Sequence, residues 1–533
     1  MKNFYDKVTK SLEDIIKADF NIELEHPLWE LPQKQEFGDL SSMAALKLAS
    51  KLKKDPLELA GLIKSSLNKV LSEDLEKIEI LKPGFINIFL SRSILIESLN
   101  QVLKKKDDFF RENFGRKVLI EFLSANPTGP LSIAHGRQAI VGDTIANILE
   151  FCGDKVEREY YLNDAGGQID LFSKSIASAL KAITGRLEYD PPEGGYKGDY
   201  ILDIAREFLA KKIKEQPGDY GMDSMVNLIK KDISDLGIKP FKHWFSQKKL
   251  IEQGQVEKTL EFLKAKDLVY ESENALWFLA TKFGDDKDRV VKKADQELTY
   301  FACDIAYHKN KYERGYQLLI NLWGPDHHGY IKRVKNAVTA LGFDPQILKI
   351  IIIQLVTLKS KEKMSKRAGT FVLLSDLIKD VGKDAVRFYY LMRKNSSHLE
   401  FDIDLAKESS FDNPLYYIQY VCARIQSIFK KAEDCSFDQD YSRFLSDEQE
   451  LLLLRTLLQF THCLEKAYFS LEPVFIIEFL KNLAAAFHKF YEKVRVIDQD
   501  KNLTQARLNL LKAVLIVFHC GLNLLGITPV ERM

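Results

Sequence analysis

The sequence predicts a multidomain α/β protein ending in an all-α domain, and three observations carry that reading. At 533 residues the chain is several times the usual size of one domain, so two to four are expected. From Lys117 a strand, a Gly/Pro loop, a long helix and a second strand follow one another, which is how a parallel sheet opens. From about residue 411 nearly every stretch has helical spacing.

Residues 1–116 read as helix, loop, helix and short strands. Tyr5, Val8, Leu12, Ile15 and Ile16 recur at helical spacing, and IEILKPGFINIFL alternates on both sides of Pro83-Gly84, so a small α/β domain is expected. The basic run LKKKDDFFRENFGRK is expected to close it as a linker. Residues 117–410 make the second domain: strand VLIEFLSA, loop NPTGPLS, helix IAHGRQAIVGDTIANILEFCG and strand VEREYYL. A charged, helix-rich stretch from about 170 to 289 is expected as an insertion, after which YQLLINLWG and KIIIIQLVTL resume the sheet. In residues 411–533, EQELLLLRTLLQFTHCLEKAYF, VFIIEFLKNLAAAFHKFYEKV and ARLNLLKAVLIVFHCGLNLLG predict a helical bundle. No internal repeat suggests a solenoid.

Composition narrows the class without choosing a function. The chain is 46% hydrophobic and 29% charged, with 77 basic and 76 acidic residues, so a polyanionic partner must be held by local basic patches. Cys152, Cys303, Cys422, Cys435, Cys463 and Cys520 form no C-x-x-C pair. That pattern argues against zinc and against a disulfide framework, and favours buried thiols in a reducing cytoplasm. The N-terminus is a polar amphipathic helix pattern rather than a secretory signal, and no run reaches ~18 uninterrupted apolar residues. A cytoplasmic protein without a membrane partner is expected.

Two segments carry chemistry. SANPTGPLSIAHGR lies between an apolar strand and a long helix, placing His135 in the first helical turn, where free backbone N–H groups and the helix dipole favour an anion such as a nucleotide phosphate. His135, with Arg137 assisting, can donate hydrogen bonds to a phosphoryl oxygen as charge builds on it. Far downstream, LKSKEKMSKRAGT follows an apolar strand; Lys363 and Lys366 can bring two ammonium groups to a departing pyrophosphate, with Ser365 as a further donor. A Gly/Pro turn is usually structural and a lysine-rich loop usually solvated, so the joint occurrence of both is the signal. GPDHHGY invites a metal reading, but adjacent histidines diverge and no further ligand lies at ligand spacing, so no metal site is expected.

These segments resemble the class I aminoacyl-tRNA synthetases, whose signatures are a HIGH-type turn after the first strand and a KMSKS-type loop after the last. LSIAH and KMSKR stand at those places. EFLSANPTGPL, EYYLNDAGGQI, YFACDIAYHKNKYERG, LWGPDHHGYIKR, KMSKRAGTFV, FDNPLYYIQYVCARI and LNLLGITPVERM are similar, in the same order, to segments of the bacterial-type arginyl-tRNA synthetase family. The resemblance implies a Rossmann-like catalytic domain with an insertion, a small N-terminal domain that reaches tRNA, and a helical anticodon-binding domain. It implies ATP with Mg²⁺, L-arginine and tRNA(Arg) as reactants, no zinc and no DNA partner; a monomer is the expected state.

By the same resemblance, catalysis falls to His135, Ser132, Lys363 and Lys366. ATP would be held by Pro130, Ser132, Ala134, His135, Gly324, Asp326, His327, Met364, Ser365 and Lys366. Arginine would be read by Glu121, Ser124, Asn126, Tyr300 and Asp304, and tRNA by Phe37, Tyr417, Gln419, Tyr420 and Arg424. A permanently charged planar guanidinium does call for carboxylates and in-plane acceptors. One departure is plain: the family's usual His-x-Gly-His reads Ser132-Ile133-Ala134-His135 here, which shortens the first side chain and adds a methyl at the third position. Other class I synthetases, such as the glutamyl or cysteinyl type, and a tRNA-binding paralogue without catalysis are the competing readings.

Overall fold

The computed structural model describes residues 4–24, 28–32, 35–359, 372–432 and 439–533. The chain divides into two compact units, one joining its first 112 residues to residues 408–533 and the other spanning 113–407.

In the first unit, α1 (Phe4–Phe20) buries Val8, Leu12, Ile15 and Ile16 along one face, as their spacing predicts, with Phe4 buried at its start in place of the expected Tyr5, which is only half-buried. Then come β1 (Leu40–Ser42), α2 (Ala44–Leu52), α3 (Pro56–Leu71), β2 (Leu75–Leu81), β3 (Phe85–Leu90) and α4 (Arg92–Lys105), with an antiparallel sheet in the order β1-β3-β2. The run expected as a linker is part of this core. Helix α4 continues through Lys105, and beyond the exposed lysines Phe109 and Phe110 are buried, Phe110 meeting the Phe460 ring edge-on at 5.0 Å. Surface charge on one side of the run hid the aromatic pair that anchors it.

The second unit is built on β4 (Lys117–Glu121), α5 (Ile133–Phe151) and β5 (Lys155–Leu162), followed by α6 (Gly167–Gly185), α7 (Asp199–Ala210), α8 (Pro217–Asp235) and β6 (His243–Ser246). After α9 (Gln247–Glu252) and α10 (Gln255–Lys264), β7 (Val269–Ser272), β8 (Ala275–Phe278) and β9 (Arg289–Lys292) form an antiparallel sheet of their own. Then come α11 (Tyr300–Glu313), β10 (Leu318–Trp323), α12 (Ile331–Ala340), β11 (Leu348–Ile352), β12 (Val356–Lys359), α13 (Leu374–Val381), α14 (Lys383–Leu391), β13 (Leu399–Asp402) and α15 (Ile403–Lys407). The central sheet is parallel, in the order β11-β10-β4-β5-β6.

The expected helical insertion over 170–289 needs correction. After its helices α6 to α8, β6 joins the central sheet beside β5, and beyond the shorter α9 and α10 the segments β7 to β9 are strands. Four-residue strands are too short for a two-residue period to stand out among charged neighbours. Helix α5 is buried on nearly every side and lies tight on the end of β4: a Cβ at Gly142 would come within 2.2 Å of the Phe122 ring. Its Asp143 holds Arg387 of α14 at 2.7 Å, both side chains buried.

The bundle of the first unit comprises α16 (Pro414–Lys431), α17 (Glu448–Leu458), α18 (Phe460–Ser470), α19 (Val474–Lys493) and α20 (Lys501–Leu524). By length and composition α20 could cross a membrane, but 78% of its apolar window is buried, as in a core helix.

Candidate active site

The chain leaves the central sheet position of β4, builds β5 and β6 on one side, and returns to build β10 and β11 on the other. A crevice therefore opens beyond the carboxyl ends of β4 and β10, where such sheets bind ligands. A cleft of about 1190 Å³ lies there, lined by Glu121, Leu123 and Ser124 after β4 and by Trp323 and Gly324 after β10. Pockets that bury a single drug-sized ligand measure roughly 300–1,000 Å³, so this cleft is large enough to take two small reactants.

The turn after β4 is strained: Leu123 (φ 71°) and Ser124 (φ 39°) are non-glycine residues at positive φ. Hydrogen bonds hold it there. The Ser124 hydroxyl donates to Glu121 Oε1 at 3.1 Å and accepts the Tyr161 N–H at 3.0 Å, while the Tyr160 hydroxyl donates to the Ala125 carbonyl at 2.7 Å. Asn126 stands exposed on the cleft wall, its amide donating to Gln168 at 2.7 Å and accepting from Asn163 at 3.2 Å.

Asp304 and Tyr300 project from α11 into the same cleft, Tyr300 at the mouth and Asp304 buried. Burial lifts the Asp304 carboxyl to about 7, the charge of Glu121 adding to the rise; a hydrogen bond from Tyr330 and the charge of Lys311 oppose it. The Tyr330 hydroxyl is buried beside this carboxyl yet lacks a partner of full hydrogen-bond geometry, so we read it as close but poorly aligned. An acidic group kept partly protonated by burial is poised to ionise when a cation arrives beside it.

Ser132 precedes α5 as its N-cap, and His135 reaches back to it. The Ser132 N–H donates to His135 Nδ1 at 3.1 Å, and the Ser132 hydroxyl lies 3.2 Å from the same atom. Nδ1 is thus an acceptor, which leaves Nε2 carrying the proton in a cleft-lining side chain. Burial lowers the His135 pKa, keeping the ring neutral. Arg137 takes no part in the cleft. Fully buried, it donates to the carbonyls of Gln354 (2.9 Å), Ser397 (2.7 Å) and Lys394 (3.0 Å). Residues on the far side of the KMSKR segment are stitched to this turn: Leu374 N–H donates to the Leu131 carbonyl at 2.9 Å, and Ile133 N–H to that of Val372 at 3.3 Å.

Of the residues singled out from the sequence, Glu121, Ser124, Asn126, His135, Tyr300, Asp304, Gly324, Asp326 and His327 share the cleft. Pro130, Ser132 and Ala134, half-buried just before and at the start of α5, do not line it. Lys363, Met364, Ser365 and Lys366 lie outside the described residues. Asp326 pairs with His327 at 3.4 Å on the rim. In the other unit, Phe37 is 36% exposed, Gln419 is half-buried, and Tyr417 and Tyr420 gather with exposed Phe411 around His488, the Tyr417 and His488 rings stacked at 4.6 Å. Arg424 is held against Tyr491, its guanidinium 4.8 Å from the ring centre. The cleft also contains Tyr161, Gln247, Tyr307, His308, Trp323 and Tyr330, which the motifs did not flag.

Residues 98–191 and 201–406 match the catalytic domain of class I (R) tRNA synthetases, residues 2–90 the arginyl tRNA synthetase N terminal domain, and residues 418–533 the DALR anticodon binding domain. An arginine–tRNA ligase of Thermotoga petrophila is 40% identical over 546 aligned residues, covering 99% of each chain. One of Citrifermentans bemidjiense is 42% identical over 525 residues, covering 95% of this chain and 94% of that one. The chain belongs to the arginyl-tRNA synthetase family. The solved arginyl-tRNA synthetase of Thermus thermophilus shares its fold, with a TM-score of 0.79 over 99% of this chain and all of that one at 19% identity. A Mycobacterium tuberculosis methionyl-tRNA synthetase in complex with methionyl-adenylate also shares it, with a TM-score of 0.56 at 10% identity over 77% of this chain and 91% of that one. The parallel-sheet domain, N-terminal domain and terminal bundle are thus the architecture of the arginyl-tRNA synthetases.

Proposed function

We propose that the cleft at the ends of β4 and β10 performs ATP-dependent arginylation of tRNA(Arg), the activity of the arginine–tRNA ligases that this chain matches along its length. The observation that carries the site assignment is the buried Asp304 carboxylate beside Tyr300, four residues apart on one face of α11 and facing a cleft large enough for two reactants.

In this reading Asp304 and Tyr300 hold the guanidinium, with the charge of Glu121 close behind, while Ser124 and Asn126 take the α-amino and carboxylate groups. Lysine is rejected because its single ammonium leaves a buried acceptor unpaired, at about 1–3 kcal/mol per group. The arginine carboxylate attacks the α-phosphorus of ATP, forming arginyl-adenylate as pyrophosphate leaves. His135 donates through Nε2–H to a phosphate oxygen, and the start of α5 adds its N–H dipoles. Asp326, His327 and Gly324 flank the adenosine side. Lys363 and Lys366, with Met364 and Ser365, belong to the loop that meets the pyrophosphate.

Among the described residues no group of three His, Cys, Asp or Glu side chains could hold a metal, whereas Mg²⁺ needs only one or two carboxylates besides phosphate oxygens, so the site suits Mg²⁺ carried in on ATP. That ion supplies neutralisation of phosphate charge. A terminal ribose hydroxyl of tRNA then attacks the mixed anhydride, releasing AMP. Phe37 in the N-terminal domain (1–116) and Tyr417, Gln419, Tyr420 and Arg424 in the bundle (411–533) would contact the tRNA; the catalytic domain is 117–410. We assign the reaction to a monomer in the cytoplasm, a compartment supported by the scattered cysteines without a C-x-x-C pair.

The test is charging of total tRNA with labelled arginine, lysine, glutamate or cysteine in the presence of ATP and Mg²⁺. Arginine-specific charging is expected. A folded, tRNA-binding protein that charges nothing would instead favour a non-catalytic paralogue.

A further inference from the structure

Lys311 lies seven residues beyond Asp304 on α11 and is fully buried. Its ammonium donates to Glu121 Oε2 and, at 2.8 Å, to Asn321 Oδ1, and it sits 4.3 Å from the centre of the Tyr307 ring. These three partners match its three protons. Glu121 and Asn321 face each other across the paired strands β4 and β10, so the sheet register itself presents both acceptors to Lys311. From Asn321 the chain of bonds runs on: its amide lies 3.0 Å from His308 Nε2, and His308 Nδ1 lies 2.8 Å from the Asp304 carbonyl. With His308 kept neutral by burial and by the charge of Lys311, Nε2 accepts and Nδ1–H donates, and every link is satisfied.

Resting on the arginine-activation reading above, we propose that Lys311 is a positioning residue for substrate selection: a built-in cation that neutralises Glu121 from within the protein and leaves Asp304 as the carboxylate open to the guanidinium. Without it, two buried carboxylates would face one cationic substrate, and one of them would hold a proton instead. With it, the pocket presents to the substrate roughly one negative charge for one positive charge. The groups acting on Asp304 come from several elements: Glu121 from β4, Lys311 from its own helix, and Tyr330 from the turn before α12. The Tyr161 hydroxyl on β5 and the Tyr300 hydroxyl and Cys303 thiol on α11 feel the Asp304 charge in turn.

The experiment measures KM for arginine and for ATP in tRNA charging between about pH 5.5 and 8.5. It compares the parent chain with Lys311→Met, Lys311→Arg, Glu121→Gln and the double variant Lys311→Met/Glu121→Gln. In the parent, KM for arginine rises as pH falls and Asp304 takes up a proton, while KM for ATP stays flat. Removing the cation in Lys311→Met moves that limb to higher pH by about one unit and raises KM for arginine about fivefold near neutrality, approaching about tenfold on the acid side. Removing the anion in Glu121→Gln moves it to lower pH. The double variant, which buries neither charge, returns the limb toward the parent position, and Lys311→Arg stays close to the parent. Opposite shifts that cancel in the double variant are the expected result. Coincident limbs in all variants, or losses that simply add, would overturn the proposal and reduce Lys311 to a packing role. If Lys311→Met does not fold, Glu121→Gln and the double variant still decide, because a structural role predicts no opposing shift between them. A parent chain that charges no arginine would sink the functional reading itself, a separate outcome.

Discussion

Asp304→Asn should make the empty protein more stable at alkaline pH while removing its hold on arginine. A carboxyl lifted from the ordinary 3.8 to about 7 is worth about 4 kcal/mol of interaction lost on ionising in the folded state. Its contribution to stability is full below about 3.8, declines as pH rises through that window, and is gone above about 7. Asparagine cannot ionise, so the variant escapes the decline; part of the gain is lost because its amide protons need acceptors in the same buried spot. The melting temperature should rise by roughly 4–8 °C at pH 8, and the difference should shrink toward zero at about pH 4. In the same variant the guanidinium loses its buried counter-ion, costing about 3–5 kcal/mol, or roughly 150- to 5,000-fold in kcat/KM for arginine. KM for ATP should move by less than about threefold. Thermal melts across pH, paired with charging kinetics in both substrates, give the two readouts. A melting difference that is independent of pH, or equal losses for arginine and ATP, would refute the argument.

Three further outcomes are expected. Lys366→Ala should slow single-turnover adenylate formation by about a hundredfold with tRNA affinity unchanged; an unaltered single-turnover rate removes Lys366 from the pyrophosphate. Ser132→His should leave turnover within about threefold of the parent, because the Ser132 backbone N–H, not its side chain, fixes the His135 tautomer; a gain above about tenfold in steady-state charging would expose a real deficit in the turn. Tyr417→Ala breaks the stack on His488 and should weaken tRNA binding by about 1–3 kcal/mol without changing KM for arginine, which filter binding and charging kinetics can separate.

What could be read from the sequence divides along physical lines. The β4-α5-β5 opening and the terminal helices were legible because their apolar positions repeat over many residues. The His135 turn and the Asp304 helix were legible because the residues they carry stand in motifs. Strand β6 was not, since four residues offer only two cycles of alternation, and its place beside β5 is a long-range pairing. Arg137 was read toward phosphate because it follows His135 by two residues. That spacing turns it well around the helix, toward the backbone carbonyls it binds.

The strain at Leu123 and Ser124 could not be seen at all, because neither residue type advertises a positive φ. Lys311 is the instructive case. In YFACDIAYHKNKYERG it is one lysine among several charges, yet Tyr300, Asp304, His308 and Lys311 recur at spacings of four, four and three and so share one helical face. The other faces of α11 bury Phe301, Ala302, Ile305 and Ala306. Between Tyr300 and His308 the rest of the helix is apolar, so a polar stripe there, followed soon after by an apolar strand, turns inward rather than to water. It must face an internal site, and its last member must find an anion there. The partner is supplied by the neighbouring strand, where Glu121 stands opposite Asn321. Periodicity therefore held enough to predict a buried lysine in the site, while its partner depended on sheet register, which only the folded chain fixes.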